Sequence, residues 1–176
     1  MILRLRQMTL DDVETVSEFL QQPHVARWWR DDATVEGVAA HYGPALRGEE
    51  PTALLIAVVD DRPIGFGQWY LWDDNPEGRD AYGIPAGTVG IDYLIGHAWD
   101  CERGWGTALV SALIDAAPEL PIWVTPEFAN EPSCRVLEKN GFELMAVKQC
   151  HVPDEPDAGP TALYRRSPMA SVTLEE

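Results

Sequence analysis

Residues 88–107 of the 176-residue chain have the sequence TVGIDYLIGHAWDCERGWGT. The first eight are mostly apolar and predict a central strand, whereas the last four open a predicted helix over residues 104–117. Two glycines at a helix start let backbone N–H groups approach an anion closely, and the helix dipole favours negative charge there. Arg103 and the hydroxyl of Thr107 are further donors. The pattern therefore predicts either a pyrophosphate site or a simple turn; it lacks the spacing of a P-loop or a dinucleotide fingerprint.

Strand and helix patterns alternate on both sides of this stretch. Further strands are expected at residues 2–7, 53–60, 64–72, 121–125, 142–148 and 161–166, and further helices after Thr9 and over residues 34–47 and 130–140. This order predicts one α/β domain over residues 1–167, with a central mixed β-sheet flanked by helices. Pro and Gly residues predict a long loop at residues 73–87, and residues 168–176 are expected to form a flexible tail.

The strongly negative net charge of the chain limits the kinds of molecule that it is expected to bind. Lys and Arg total 13 against 29 Asp and Glu, a net charge of −16. This argues against nucleic acid and anionic membranes as partners, and favours a small cationic ligand or simple solubility. No apolar run approaches the ~20 residues of a membrane span. Three scattered cysteines fit a reducing cytoplasm. No metal site is predicted, because the histidines lack ligand spacing and are expected to be surface or capping residues: His24, His41, His97 and His151.

Three segments together resemble the GNAT superfamily of acetyl-CoA-dependent N-acetyltransferases. They are Gly90-Ile91-Asp92, Gly104-x-Gly106, and Asn130 with the run from Val136 to Phe142. The resemblance extends from the first strand to about residue 166. It implies acetyl-CoA as cosubstrate, with the glycine loop at its pyrophosphate and the helix after Asn130 beside its pantetheine arm. The cofactor-binding residues that the resemblance implies are Leu94, Ile95, Arg103, Gly104, Trp105, Gly106, Thr107, Asn130 and Ser133.

Within the superfamily, the chain is similar to the aminoglycoside 6′-N-acetyltransferase group. Residues 23–29 (PHVARWW), 62–68 (RPIGFGQ) and 90–92 (GID) carry this narrower resemblance. A related siderophore-acylating group shares much of the pattern, but tends to have His at the position of Asp92. The chain departs from the superfamily at two positions: Cys101 stands where Gln or Arg is frequent, and Leu137 replaces a frequent tyrosine acid. Aminoglycoside-modifying relatives often have an acidic residue after the fifth strand, where this chain has Thr125, with Glu127 nearby.

Asp92 is the candidate general base or ammonium anchor. Acetyl transfer to an amine needs a neutral amine and a protonated leaving thiolate. A carboxylate on an otherwise apolar strand is unusual and indicates function; the alternative is that it fixes the strand end by hydrogen bonds. Carboxylates that bind an ammonium also raise its pKa, so a route for its proton is needed. Tyr93 and Tyr164 are thiolate donors by residue type only, and solvent is the alternative.

Aromatic and acidic residues are candidates for an acceptor site. Aromatic rings stack on sugar faces and attract cations, although each ring alone is explained as well by the core. Over residues 64–72, Gln68, Tyr70 and Trp72 share one strand face and Trp69 takes the other. The acidic residues Asp73, Asp74, Glu77 and Asp80 of the predicted loop either collect ammonium groups or are solvated. The predicted substrate-binding residues are Trp28, Trp29, Gln68, Tyr70, Trp72, Asp92 and Glu127.

Three functions are open on this evidence. The resemblance implies acetylation of the 6′-amine of an aminoglycoside. A second hypothesis is acyl transfer to another amine, such as a siderophore hydroxylysine, a polyamine or a peptide. A third is a non-catalytic acyl-CoA-binding module, which Leu137 in place of the usual tyrosine would suit. A cytoplasmic monomer or homodimer is expected.

Overall fold

The computed structural model describes residues 1–152 and 159–168. Its strands are β1 (Leu3–Gln7), β2 (Ala53–Val59), β3 (Arg62–Leu71), β4 (Val89–Ile95), β5 (Ile122–Val124), β6 (Glu143–Lys148) and β7 (Thr161–Arg166). Its α-helices are α1 (Val13–Leu20), α2 (Pro23–Ala26), α3 (Val35–Leu46), α4 (Pro76–Tyr82), α5 (Trp105–Ala116) and α6 (Glu131–Lys139). Of the tail predicted over residues 168–176, all but Pro168 lies outside the described residues. In the described part of the chain, no helix has the length and apolarity needed to cross a bilayer.

The described strands form one mixed sheet in the order β1-β2-β3-β4-β5-β7-β6. Neighbours are antiparallel except β4 and β5, which are parallel. Successive side chains of a strand point to opposite faces, so the apolar residues of β2 supply two cores. Ile56 packs under α1 and α3, whereas Ala57 lies with Leu109 and Leu113 of α5 on the other face. The predicted α/β domain with a mixed sheet is confirmed.

The two long edges of β4 are paired to different extents. Antiparallel pairing with β3 runs from Val89 to Ile95, whereas parallel pairing with β5 joins only Val89 and Gly90. Beyond Gly90 no residue of β4 pairs with β5, and we call the unpaired region beside the rest of β4 the β4–β5 gap. The gap lies between residues 91–95 of β4 and the turn that follows β5.

Alternation of hydrogen bonds determines which residues of β4 face the gap. Trp72 N–H donates to Thr88 C=O at 3.0 Å and Gly96 N–H donates to Ile64 C=O at 2.8 Å, at the two ends of the β3–β4 ladder. In an antiparallel pair, every second residue bonds to the same neighbour. The even-numbered residues of β4 therefore bond to β3, and the backbone groups of Tyr93 and Ile95 point into the gap.

The long loop predicted at residues 73–87 is wrong. A 3₁₀ turn covers Trp72–Asp74 and α4 follows it. The Asn75 side chain accepts from Gly78 N–H at 3.1 Å, Pro76 takes the first helical position, and Gly83 ends the helix at φ 70°. These are ordinary start and stop signals of a helix. Pro and Gly are common at helix ends as well as in loops, which is why composition alone predicted a loop.

Candidate functional site

A cleft of about 750 Å³ lies on the α1–α3 face of the sheet, beside the β4–β5 gap; we call it the acceptor cleft. It brings together all predicted substrate-binding residues and two predicted cofactor-binding residues: Trp28, Trp29, Gln68, Tyr70, Trp72, Asp92, Glu127, Asn130 and Ser133. The other predicted cofactor residues, which are Leu94, Ile95 and residues 103–107, do not line it. Five carboxylates do, and they are Asp31, Glu50, Asp74, Asp92 and Glu127. Such a wall is complementary to a molecule carrying several ammonium groups.

Asp92 is fixed in the cleft by its neighbour on β3. Gln68 and Asp92 are paired in the strand register, so their side chains project from the same face of the sheet. Gln68 Nε2 donates to Asp92 Oδ2 at 2.8 Å. The carboxylate is half-buried and faces the cleft, where it is positioned to accept a hydrogen bond from a bound amine. Gln68 thus acts on Asp92, in addition to lining the cleft.

Gly90 has a packing requirement that explains the start of the Gly90-Ile91-Asp92 motif. A Cβ atom built there would lie 2.4 Å from ring carbons of Tyr70, which is closer than packed atoms can approach. The Tyr70 ring therefore lies directly over the β4 backbone. Trp72 packs edge-on against it at 5.4 Å between centroids. Trp72 is buried and its indole N–H donates to Trp123 C=O at 3.2 Å, so it forms a fixed end of the cleft.

The second aromatic wall comes from the segment after α2. The Trp29 indole N–H donates to Asp31 at 2.7 Å, and the guanidinium of Arg27 lies 4.7 Å from the centroid of the Trp28 ring. Arg30 forms an ion pair with Glu127, which is predominantly buried. That ion pair joins this segment to the turn after β5 and closes one side of the cleft. Trp69, predicted on the opposite face of β3, packs there against the cores beneath α5.

The predicted acidic loop contributes one carboxylate to the cleft. Only Asp74 of its four acidic residues is among the cleft-lining residues. Asp73 accepts from Gly87 N–H and from Arg79, both of which lower its pKa, and Asp80 also pairs with Arg79. These two carboxylates therefore hold the segment around α4 in place, rather than collecting ammonium groups.

Asn130 and Ser133 hold the start of α6. The Asn130 side chain accepts from Ser133 N–H at 3.4 Å, and the Ser133 hydroxyl is 2.7 Å from the hydroxyl of Tyr93. Burial raises the pKa of Tyr93. The Tyr93–Ser133 contact joins β4 to α6 across the β4–β5 gap. Tyr164, the other predicted thiolate donor, is buried outside the cleft, and its hydroxyl donates to Glu138 at 2.8 Å.

The start of α5 is built differently from that of α6. Gly104 occupies its N-cap position in the left-handed conformation, at φ 82°, with no side chain bonded to the first amides. Its first turn carries no acidic residue, and Arg103 beside it is exposed. These unsatisfied N–H groups are suited to an anion. At the end of β4, the ring of His24 on α2 contacts Ile95 C=O through Nε2 at 2.9 Å.

Sequence reasoning missed several residues that line the cleft. Arg30, Asp31, Tyr42 and Glu50 come from α3 and its flanking turns, where no local motif marks them. His24 was expected to be a surface or capping residue; it is half-buried and contacts a carbonyl at the end of β4. Only its place in the PHVARWW segment singled it out.

The chain is similar to known acetyltransferases over most of its length. The family model described as an acetyltransferase (GNAT) domain matches residues 9–149. The curated aminoglycoside N(6′)-acetyltransferase type 1 of Klebsiella pneumoniae is 32% identical over 146 residues, which cover 79% of this chain and 73% of that protein; the same values hold for the protein of that name from Serratia marcescens. The crystal structure of aminoglycoside acetyltransferase AAC(6′)-Ib with coenzyme A has a TM-score of 0.80 at 30% identity and covers 94% of each chain. A structure of AAC(6′)-Ib with coenzyme A and kanamycin has a TM-score of 0.79. These comparisons confirm the resemblance found in the sequence.

Proposed function

The chain belongs to the GNAT acetyltransferase family and is an acetyl-CoA-dependent N-acetyltransferase, and we propose that its acceptor is the 6′-amine of an aminoglycoside. The observation that carries this proposal is the acceptor cleft. It combines Asp92, held by Gln68 beside the β4–β5 gap, with walls of carboxylates and aromatic rings. An aminoglycoside presents several ammonium groups on sugar rings, which matches both kinds of wall.

The residues around the gap fit acetyl-CoA. The uncapped start of α5, with Arg103 and Thr107, is suited to its pyrophosphate. Pantetheine amides would bond to the backbone groups of Tyr93 and to the N–H of Ile95, which point into the gap, in the manner of an added strand. Leu94 bonds to β3 and contributes its buried side chain beneath. Trp105 and Gly106 continue the first turn of α5. Acetyl-CoA supplies an acetyl group on a thioester, the bond that the amine must attack.

Asp92 has two consecutive roles in the proposed reaction. It first binds the incoming ammonium group, whose positive charge it neutralises. The ammonium must lose a proton before its nitrogen can attack, and Asp92 or a water molecule bonded to it accepts that proton. Nitrogen then bonds to the acetyl carbon and loses its second proton to water, and the carbon–sulfur bond breaks with its electron pair on sulfur.

The leaving thiolate is proposed to take its proton from water. Tyr164 is outside the cleft, and its hydroxyl is bonded to Glu138. Tyr93 is bonded to Ser133, where either hydroxyl is the donor. Thiols have a pKa near 8.5, so a thiolate is a good enough leaving group to depart without a dedicated acid. Leu137, at the position of the family's frequent tyrosine, is fully buried in the core and offers no proton.

Thiol release from acetyl-CoA against a panel of amines tests the proposal. The panel holds kanamycin and tobramycin, an aminoglycoside with a 6′-hydroxyl, spermidine, a hydroxylysine derivative and a basic peptide. We expect release with the 6′-amino aminoglycosides and none with the 6′-hydroxyl compound. Release with another amine alone would transfer the assignment to that acceptor. Acetyl-CoA binding without release on any amine would contradict the proposal and favour a binding module. A cytoplasmic location and a monomeric or homodimeric state stay predictions.

A further inference from the structure

Arg30 places a positive charge in a cleft that is lined by five carboxylates. Among the described residues that line the acceptor cleft it is the one arginine, and no lysine lines it. Its guanidinium contacts Glu127 in the turn after β5, which lies across the β4–β5 gap from Asp92. A permanent cation opposes the entry of a polycationic acceptor, so its presence here needs a physical reason.

The contact of Arg30 with Glu127 differs from an ion pair that fastens the fold. Arg62 donates from two nitrogens to both oxygens of the buried Asp100, each at 2.8 Å. Arg30 instead approaches a single oxygen of Glu127, and that oxygen is buried yet accepts no well-aligned hydrogen bond from the described residues. Bidentate pairs of guanidinium and carboxylate are the strong ones, so the Arg30–Glu127 contact is the more easily exchanged of the two.

The two partners are also held to different degrees. The side chain of Arg30 is 37% exposed and Glu127 is its only polar partner among the described residues, so its guanidinium is able to turn into water. The side chain of Glu127 is 15% exposed, and its C=O accepts from Asn130 N–H at 2.9 Å. Beside it, Phe128 N–H donates to Pro160 C=O at 2.7 Å. The carboxylate therefore stays in the cleft wall when the guanidinium leaves.

A carboxylate in the position of Glu127 requires a cation at all times. An ion pair of this depth that loses one partner leaves an uncompensated charge, which is destabilising. Arg30 supplies the cation in the free protein. An ammonium group of a bound acceptor carries three donors on one small centre, so it offers the aligned hydrogen bond that the guanidinium does not make. Exchange of the two cations keeps the charge of Glu127 compensated throughout.

We propose that Arg30 is the resident counter-ion of Glu127 and a specificity-determining residue, which a second ammonium group of the acceptor displaces. The inference rests on the proposed function and extends it. The reacting amine binds Asp92 on one side of the β4–β5 gap, and another ammonium of the same molecule takes Glu127 on the other side. Because this ammonium replaces an existing cation, it adds little affinity. An acceptor without it loses little, so Arg30 makes the cleft tolerant of acceptors that differ there.

A double-mutant cycle on the affinity for kanamycin B tests the proposal. The proteins are wild type, Arg30→Gln, Glu127→Gln and the double variant, and the dissociation constant is measured by calorimetry with coenzyme A bound. We expect Arg30→Gln to tighten binding by about 3- to 5-fold, the upper range for a partly exposed ion pair that no longer has to be broken. In the Glu127→Gln background the same substitution should change affinity by less than about twofold, because no contact is left to break.

Two outcomes of the cycle would overturn the proposal. An equal gain in both backgrounds would show that the charge of Arg30 acts at a distance, without displacement. Weaker binding by Arg30→Gln would show that the side chain only supports the cleft wall. Arg30→Lys keeps the cation and should stay within about twofold of wild type. Arg4→Gln, which removes an exposed guanidinium paired with Asp61 on the edge strand β1, is the matched control for net charge and should do the same.

Side-chain NMR of the arginines follows the displacement directly. The ¹H–¹⁵N signals of Arg30 are assigned by their loss in Arg30→Gln, and Glu127→Gln provides the signal of the unpaired guanidinium. With kanamycin B and coenzyme A bound, the wild-type signal should move to that unpaired position. A signal that stays in place while kanamycin B is bound and acetylated would end this inference alone. Wild type that neither binds nor acetylates kanamycin B would end the proposed function and this inference with it.

Discussion

The two edges of β4 present different chemical groups. On the β3 side, pairing is continuous from Val89 to Ile95, and the strand offers side chains held in register. On the β5 side, pairing ends at Gly90, and the strand offers the backbone groups of Tyr93 and the N–H of Ile95, whose carbonyl is bonded to His24. A paired edge positions a carboxylate such as Asp92 rigidly, whereas an open edge can accept an extended ligand as another strand would be accepted. The difference teaches that one strand can serve both substrates without their competing for the same groups.

The two helices beside the open edge show the same division. α6 begins with Asn130 bonded to Ser133 N–H and with Pro132 in its first turn, so fewer of its first N–H groups are available to a ligand. α5 begins with Gly104 and no side-chain cap, so its first amides remain available to a ligand. An anion is therefore expected at α5 and not at α6.

The largest effect is expected from the paired edge. Asp92→Asn keeps the shape of the side chain and its contact with Gln68, but removes the negative charge and the proton acceptor. We expect kcat/KM for the amine to fall by about 10²- to 10⁴-fold, the usual contribution of a general base. The affinity for acetyl-CoA, measured by calorimetry, should change by less than about twofold, because the open edge is untouched.

Asp115→Asn is the matched control for charge. Asp115 is exposed on α5 and is not part of the cleft. The control should keep wild-type kinetics. If Asp92→Asn weakens acetyl-CoA and amine equally, the two edges of β4 are not functionally separate.

The next effect is expected at the start of α5. Gly106→Asp adds a carboxylate to the first helical turn, where its added Cβ meets only the Val136 side chain, at 3.4 Å. A negative charge in the first turn interacts favourably with the helix dipole, so Tm should stay the same or rise. The same charge repels the pyrophosphate, so KM for acetyl-CoA should rise by about 10- to 100-fold. Gly106→Asn has the same size without the charge and serves as control. Equal KM values for the two variants would place the pyrophosphate elsewhere.

The features that could be predicted from the sequence are those written in neighbouring residues. The glycine loop, the apolar run of β4 and the isolated carboxylate of Asp92 are all local signals, and the structure brings Asp92 to the cleft. The backbone roles in β4 were harder to predict, because nothing in the sequence tells which of Leu94 and Ile95 bonds to β3. That parity depends on the register with a strand some thirty residues away.

The acceptor cleft was only partly predictable for a related reason. Its aromatic residues on β3 follow from strand alternation, but Tyr42 and Glu50 reach it through the packing of α3 over the sheet. The helical spacing of apolar residues in α3 places the Tyr42 ring in the core, as the structure does, but it does not indicate that Tyr42 also borders the cleft. The ion pair of Arg30 with Glu127 joins segments almost one hundred residues apart. Such contacts depend on tertiary structure, and no local pattern encodes them.

A moderate effect is expected where a side chain holds the open edge. His24 contacts Ile95 C=O at 2.9 Å, and this carbonyl faces away from β3. His24→Ala would leave the carbonyl unpaired and let the end of β4 relax, so we expect KM for acetyl-CoA to rise by about 3- to 10-fold with a smaller change in kcat. His24→Gln retains an amide donor and should recover most of the loss. A fall in Tm without a change in KM would show that His24 supports the fold and not the open edge.

The smallest effect is expected at Asp100, which fastens the turn after β4 to the start of β3 on the paired side. Both oxygens of this buried carboxylate accept from Arg62 at 2.8 Å, and this contact lowers the pKa of Asp100. A lowered folded-state pKa stabilises the protein above the unfolded value of about 3.9, and that stabilisation is lost as pH falls through the folded-state value. Because Arg62 is half-exposed and screened by water, we expect Asp100→Asn to lower Tm by only about 2–4 °C at pH 7, and the difference from wild type should shrink as the pH falls below about 3.9. Asp61→Asn breaks an ion pair whose carboxylate is 91% exposed and should shift Tm far less. A change in KM for acetyl-CoA in Asp100→Asn would contradict the separation of the two edges, because a substitution on the paired side would then alter binding at the open edge of β4.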